Sequence, residues 1–146
     1  NVVSEDKFVQ LMNQKATKIG MRDTLFTNPI GFDSFDYSHK STAQDLYLLS
    51  LESRSNPLLK SIYSKTEYTF ISGSKARTVF STNHLLTQID GTVGMKTGTT
   101  NQAGEVFIYE FSKKGQNIMI ILMKSQDRFL EIEKIMSWIN QNYTWN

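Results

Sequence analysis

Thr92-Val93-Gly94-Met95-Lys96-Thr97, followed by Gly98-Thr99-Thr100, has the make-up of a β-strand running into a polar turn. Two further strand-like runs follow it, Glu105 to Phe111 and Gln116 to Lys124, with Lys113-Lys114-Gly115 as the hairpin turn between them. Ile118 to Met123 is almost wholly apolar, which predicts a strand covered on both faces. Upstream, Glu67-Tyr68-Thr69-Phe70-Ile71 and Ala76-Arg77-Thr78-Val79-Phe80 read as two strands of a hairpin around Ser72-Gly73-Ser74. Ser81-Thr82-Asn83-His84 then leads into a short turn at Leu85-Leu86.

Helical patterns flank these strands. Phe8, Met12, Ala16 and Ile19 recur at spacings of four and three, which predicts one buried face of a helix over residues 5–19. Ser4 is its expected N-cap, Glu5 and Asp6 suit the positive end of the dipole, and Gly20 ends it. Residues 21–40 read as loop, rich in turn chemistry at Asn28-Pro29-Ile30-Gly31-Phe32-Asp33. A second helix starts at Thr42, expected to cap with Asp45 in a variant capping box. Leu46, Leu48, Leu49 and Leu51 are its expected buried side, and Asn56-Pro57 breaks it before a further helical turn or two over 57–64. Phe129, Ile132, Met136 and Ile139 mark a strongly periodic last helix. Helices on an antiparallel sheet give the fold class α+β.

Composition narrows the function. Lys and Arg are spread along the chain and the formal charge is +2, so there is no basic stripe of the kind nucleic acid requires. With no cysteine, Cys-based zinc sites and thiol nucleophiles are excluded. The two histidines, His39 and His84, stand far apart in polar surroundings, which argues against a His metal site; no cofactor or metal is expected. No run of 18 apolar residues spans a membrane, and the chain opens directly in a helical pattern, as a mature product or a fragment does.

The candidate site is Lys96-Thr97-Gly98 with Thr99. Lys96 offers a positive field and Thr97 a hydroxyl, both suited to a carboxylate-bearing substrate. Gly98 lets a ligand approach the backbone, and the Thr99 N–H can donate to a developing oxyanion. The tripeptide alone also reads simply as a strand ending in a Gly turn.

It does not stand alone. Phe8-Val9-Gln10-Leu11-Met12-Asn13-Gln14-Lys15-Ala16 through Gly20-Met21 resembles the helix that follows the second catalytic motif of the D-alanyl-D-alanine carboxypeptidases, the low-molecular-weight penicillin-binding proteins of the S11 family. Asp23 to Asp33 is similar to that family's Asn-Pro-x-Gly-Leu-Asp loop, and Ser41-Thr42-Ala43-Gln44-Asp45-Leu46 follows it as in the family. Asn83-His84-Leu85-Leu86 precedes Gly94-Met95-Lys96-Thr97-Gly98 and Ala103-Gly104 in the same order. The resemblance covers nearly all of the chain and corresponds to the C-terminal half of the catalytic domain, residues 1–146.

The resemblance implies a β-lactamase/transpeptidase-like fold and an acyl-enzyme mechanism on peptidoglycan stem peptides ending in D-Ala-D-Ala, with β-lactams as ligands. It further implies that Lys96 polarises the site, Thr97 binds the terminal carboxylate and the Thr99 N–H forms half of the oxyanion hole. An extracytoplasmic location follows from the same resemblance. The family's Ser-x-x-Lys and Ser-x-Asn lie upstream of the matched region, so a missing N-terminal half or a second chain is the expected partner, and the chain by itself is expected to be inactive and to self-associate. Ser4-Glu5-Asp6-Lys7, Ser72-Gly73-Ser74-Lys75 and Ser81-Thr82-Asn83 fit the motifs only literally; an N-cap, a hairpin turn and the segment before Leu85-Leu86 are the readings preferred for them. Thr82 stands where some members carry Arg, and Arg77 and Arg128 are the candidates to replace it. A non-catalytic peptidoglycan- or partner-binding module is the alternative from another class, and an inactive remnant a third.

Overall fold

A computed structural model describes residues 3–145. In chain order the elements are α1 (Glu5–Lys18), α2 (Ala43–Arg54), α3 (Pro57–Tyr63), β1 (Glu67–Ser72), β2 (Lys75–Phe80), α4 (Leu85–Gln88), β3 (Thr92–Thr100), β4 (Gly104–Lys113), β5 (Gln116–Ser125) and α5 (Arg128–Asn142). β3, β4 and β5 form an antiparallel sheet in that order, and β1–β2 is a separate antiparallel hairpin.

Local chemistry sets the element ends. Ser4 Oγ accepts from the Lys7 N–H at the start of α1, so the literal Ser-x-x-Lys there is a helix cap. At the other end Gly20 adopts φ +88°, its N–H donates to Thr17 O, and the Met21 N–H donates to Ala16 O. That pair of bonds is a Schellman motif, which needs the left-handed residue that glycine supplies. Thr42 caps α2 by accepting from the Asp45 N–H. The expected reciprocal box does not form, because the Asp45 carboxylate is taken by the Asp23 N–H and the Thr24 hydroxyl. Pro57 opens α3 at its first turn and Asn56 caps it. Lys114 and Gly115, both at positive φ, make the two-residue turn from β4 to β5.

The core lies between one face of the three-stranded sheet and α5. Phe107, Tyr109 and Phe111 alternate inward along β4 and meet Leu85 of α4 and Ile132 and Met136 of α5. Burying each such side chain contributes about 1.5–3 kcal/mol. Trp145 closes one end: its ring lies 5.4 Å from that of Phe111, its indole N–H donates to Asn140 Oδ1, and its carbonyl accepts from Lys114 Nζ. On the opposite face Glu110 is buried and paired with Arg54 of α2, Nε to Oε1 2.9 Å.

Three expectations about burial need correction. On α1 only Ala16 is buried, while Met12 and Ile19 are half-buried and Phe8 is exposed. On α2 the buried residues are Asp45 and Ser50, with Leu46, Leu48 and Leu49 half-buried and Leu51 exposed. β5 is half-buried rather than enclosed. Ile118, Ile120 and Leu122 pack on the core, whereas the other face meets little beyond α2. Helical periodicity identifies an apolar face correctly, but burial requires a second layer, which among the described residues is extensive on the α5 side and only partial where α2 meets β5.

Candidate functional site

β3 carries the candidate residues, and it is an edge strand. It pairs with β4 on one side, and no described strand pairs with it on the other. Its entry is irregular: the register shifts between Thr92 and Gly94, Gly94 sits at φ +115° and Met95 at φ +111°. An L-residue at such a φ is strained. Gly94 is required there for a second reason, since a Cβ would stand 2.0 Å from the carbonyl oxygen of Tyr63. The glycine therefore lets β3 lie directly against the end of α3.

Beside β3 opens a mostly apolar cleft of about 750 Å³, floored by Met95, Lys96 and Thr97 and walled by α3 and the β1–β2 hairpin. The Lys96 ammonium donates to the Thr97 carbonyl. Thr97 is buried, and its hydroxyl shares a 2.6 Å hydrogen bond with that of Thr82. Gly98 has nothing within 4 Å of where a Cβ would be, so open space faces its Cα. Asn83 also lines the cleft; it is buried, its Oδ1 accepts from the Leu85 N–H, and its Nδ2 has no partner.

Further along, Arg128 reaches from the first turn of α5 and donates through Nη1 to Gly98 O at 2.6 Å and to Thr99 Oγ1 at 2.8 Å. Glu105, opposite Thr99 in the β3–β4 register, accepts from the Arg128 backbone N–H at 2.9 Å. The turn after β3 is held by the 28–34 loop: Gln102 donates from its backbone to Asp33 Oδ2 and from its side chain to Ser34 O. Asn28 shapes that loop by accepting from the N–H groups of Ile30, Gly31 and Phe32. Nearby, His39 Nδ1 accepts from the Thr27 N–H, and burial, only partly offset by Asp33, lowers its pKa below the ordinary 6.5.

The structure thus brings Lys96, Thr97, Gly98 and Thr99 onto one exposed strand edge. Of the candidate arginines, Arg128 of α5 reaches that strand with its side chain. Arg77, paired with Phe70 in the hairpin, is not among the residues lining the cleft. Ser72 and Lys75 flank the β1–β2 turn, and Ser81 Oγ accepts from the Asn83 N–H, so neither literal motif forms a nucleophile–base pair here. Among the described residues no group of three His, Cys, Asp or Glu side chains is placed to hold a metal.

The model of the D-alanyl-D-alanine carboxypeptidases, peptidase family S11, matches residues 3–127. The chain belongs to that family. A D-alanyl-D-alanine carboxypeptidase, DacB2, of Mycobacterium tuberculosis is 31% identical over 119 residues, which make up 82% of this chain and 41% of the relative. A solved D-alanyl-D-alanine carboxypeptidase from Mycobacterium tuberculosis superposes with a TM-score of 0.82 at 27% identity, over 91% of this chain and 53% of that one. Penicillin-binding protein D2 of Listeria monocytogenes, solved with cefotaxime bound, gives 0.77 at 35% identity over 89% and 53%. The α+β fold is that of the penicillin-binding proteins. The chain spans about two fifths of the length of this curated carboxypeptidase and about half of each of these solved chains.

Glu105 had no signal as a site residue in the sequence, and Asn83 stood out there only in a literal Ser-x-Asn match and in the family-like segment before Leu85-Leu86. The first acts through a contact spanning 23 residues, and the orphaned amide of the second shows only in a formed cleft. Arg128 was one of two arginines expected to replace the family's Arg; its contact with Gly98 O and Thr99 Oγ1 was not legible.

Proposed function

We propose that residues 1–146 form the C-terminal part of the catalytic domain of a serine-type D-Ala-D-Ala carboxypeptidase. The enzyme would act outside the cytoplasmic membrane, trimming the terminal D-alanine from peptidoglycan stem peptides, and would be acylated by β-lactams. What carries the reading is the succession of Lys96, Thr97, Gly98 and Thr99 along β3, with Lys96 and Thr97 lining a cleft of about 750 Å³, in a chain of this family.

The reaction needs a serine that these residues do not provide in the family's register; the remaining segment of the domain, or a second chain, brings Ser-x-x-Lys and Ser-x-Asn. The serine Oγ attacks the carbonyl between the two D-alanines. The C–N bond breaks, the leaving amine takes the proton, and water later cleaves the ester. Lys96 contributes the positive field in which this charge develops. Thr97 offers a hydroxyl to the substrate's terminal carboxylate. The Thr99 N–H supplies half of the oxyanion hole, where one such donor contributes about 10²–10³ in rate. Gly98 leaves room for the substrate backbone to lie against β3.

The test assembles the chain with a serine-bearing segment and follows D-alanine release from a peptide ending in D-Ala-D-Ala. Lys96→Ala should abolish release, and Thr97→Val should raise KM about tenfold or more for the free acid but not for its C-terminal amide. Release that survives Lys96→Ala refutes the assignment.

A further inference from the structure

Gly98 O and the Thr99 N–H are the two ends of one planar peptide unit, so whatever fixes the oxygen also fixes the direction of the N–H. Arg128 Nη1 donates to that oxygen at 2.6 Å and, through Thr99 Oγ1 at 2.8 Å, to the next side chain along. A guanidinium is a rigid, charged fork, and a charge-assisted bond at the carbonyl also polarises the amide at the other end of the unit. Arg128 is itself held. Glu105 Oε2 accepts from its backbone N–H at 2.9 Å and stands 3.7 Å from its Nε, within ion-pair range though too long for a hydrogen bond, and the buried Nε has no other partner. The Phe129 ring lies 5.2 Å from the guanidinium carbon. The Arg128 side chain is only 13% exposed, so it has little freedom to swing toward a ligand.

We propose that Glu105 and Arg128 form a clamp that sets the orientation of the Gly98–Thr99 peptide unit, Arg128 acting as a positioning residue through Gly98 O and Thr99 Oγ1, and Glu105 acting through Arg128. This deepens the reading of the Thr99 N–H as an oxyanion donor and rests on it for its catalytic consequence, though not for its structural one. It also gives Arg128 a role other than receiving the substrate carboxylate.

The experiment is carried out by NMR on the chain assembled with its serine-bearing segment, comparing wild type with Arg128→Gln, Arg128→Lys, Glu105→Gln and the Arg128→Gln/Glu105→Gln double variant. The readouts are the Gly98 carbonyl carbon shift and amide exchange at Thr99, with the amides of Phe107 and Tyr109 as internal reference. Arg128→Gln should move the Gly98 carbonyl signal and slow Thr99 exchange by up to about tenfold, because the N–H loses the polarisation that one charge-assisted hydrogen bond at its carbonyl supplies. Arg128→Lys, which keeps a charged nitrogen but loses the rigid guanidinium plane and its Nε beside Glu105, should restore both only in part. Glu105→Gln should show part of both changes, and the double variant should be no worse than Arg128→Gln alone, as for two residues acting in series. An unmoved Gly98 signal in Arg128→Gln overturns the clamp. So do additive effects in the double variant, or faster exchange shared equally with Phe107 and Tyr109, which would mean that the pair holds the domain and not the peptide unit. Acylation of the assembled enzyme by a β-lactam is measured separately: if wild type is not acylated, the functional reading fails while the clamp is still judged on the NMR.

Discussion

Replacing Gly94 with alanine should separate β3 from α3. The new Cβ would lie 2.0 Å from Tyr63 O and 2.9 Å from Tyr63 C, both backbone atoms at the end of a helix that no rotamer change can move aside. Overpacking of that kind costs about 1–3 kcal/mol. The residue also sits at φ +115°, which adds about 1–2 kcal/mol for a side-chain-bearing residue. Together the loss is about 2–5 kcal/mol, a large share of the ~5–15 kcal/mol that holds a domain together. In urea, with a slope of about 1.5 kcal/mol/M, the midpoint should fall by about 1–3 M. Gly98→Ala on the same strand is the control, since its Cβ meets nothing within 4 Å. Its stability should be unchanged or up by about 0.5 kcal/mol, because alanine loses less entropy than glycine. Equal midpoints for the two variants would refute the packing argument.

Arg54→Ala strands the buried Glu110 carboxylate and should destabilise by about 2–3 kcal/mol in chemical denaturation, below the ~3–5 kcal/mol of a fully buried pair because Arg54 keeps about a third of its exposure; Arg54→Ala with Glu110→Leu should recover much of it. His39 should titrate below 6.5 by NMR. Because the folded value is depressed, its contribution to loop stability is present above the ordinary pKa and is lost as pH falls through the lower folded one, so protection of the Thr27 amide, its exchange rate corrected for the intrinsic slowing in acid, should fall on acidification. The chain alone should self-associate with rising concentration in light scattering. Phe8, Leu58, Ile71 and Phe80 are exposed, and the outer edge of the ten-residue strand β5 pairs with no described strand. A chain that stays monodisperse and monomeric with rising concentration would contradict this.

Helix ends and turns were legible because they are written locally: Ser4 and Thr42 cap, Gly20 and Asn56-Pro57 punctuate, and Lys113-Lys114-Gly115 turns the chain. The periodic face of α5 was legible as core because the sheet supplies its second layer. The faces of α1 and α2 misled, since an apolar stripe announces a partner without saying where the partner is. Within the site, Lys96 to Thr99 could be read in order from one strand, whereas the Thr82–Thr97 hydroxyl pair and the Glu105–Arg128 contact exist only once β3, β4 and α5 are assembled. Asp45 shows the same limit: its spacing fits a capping box, yet a backbone N–H 22 residues away takes its carboxylate.

The most direct test is the intact mass after exposure to a β-lactam, for this chain alone and for the chain assembled with a segment bearing Ser-x-x-Lys and Ser-x-Asn. The chain alone should show no change. The assembly should gain one β-lactam on the segment's serine, lost when Lys96 is replaced by alanine. An adduct mapped to Ser4, Ser72 or Ser81 of the chain alone, or an assembly that stays unmodified, would contradict the proposed function.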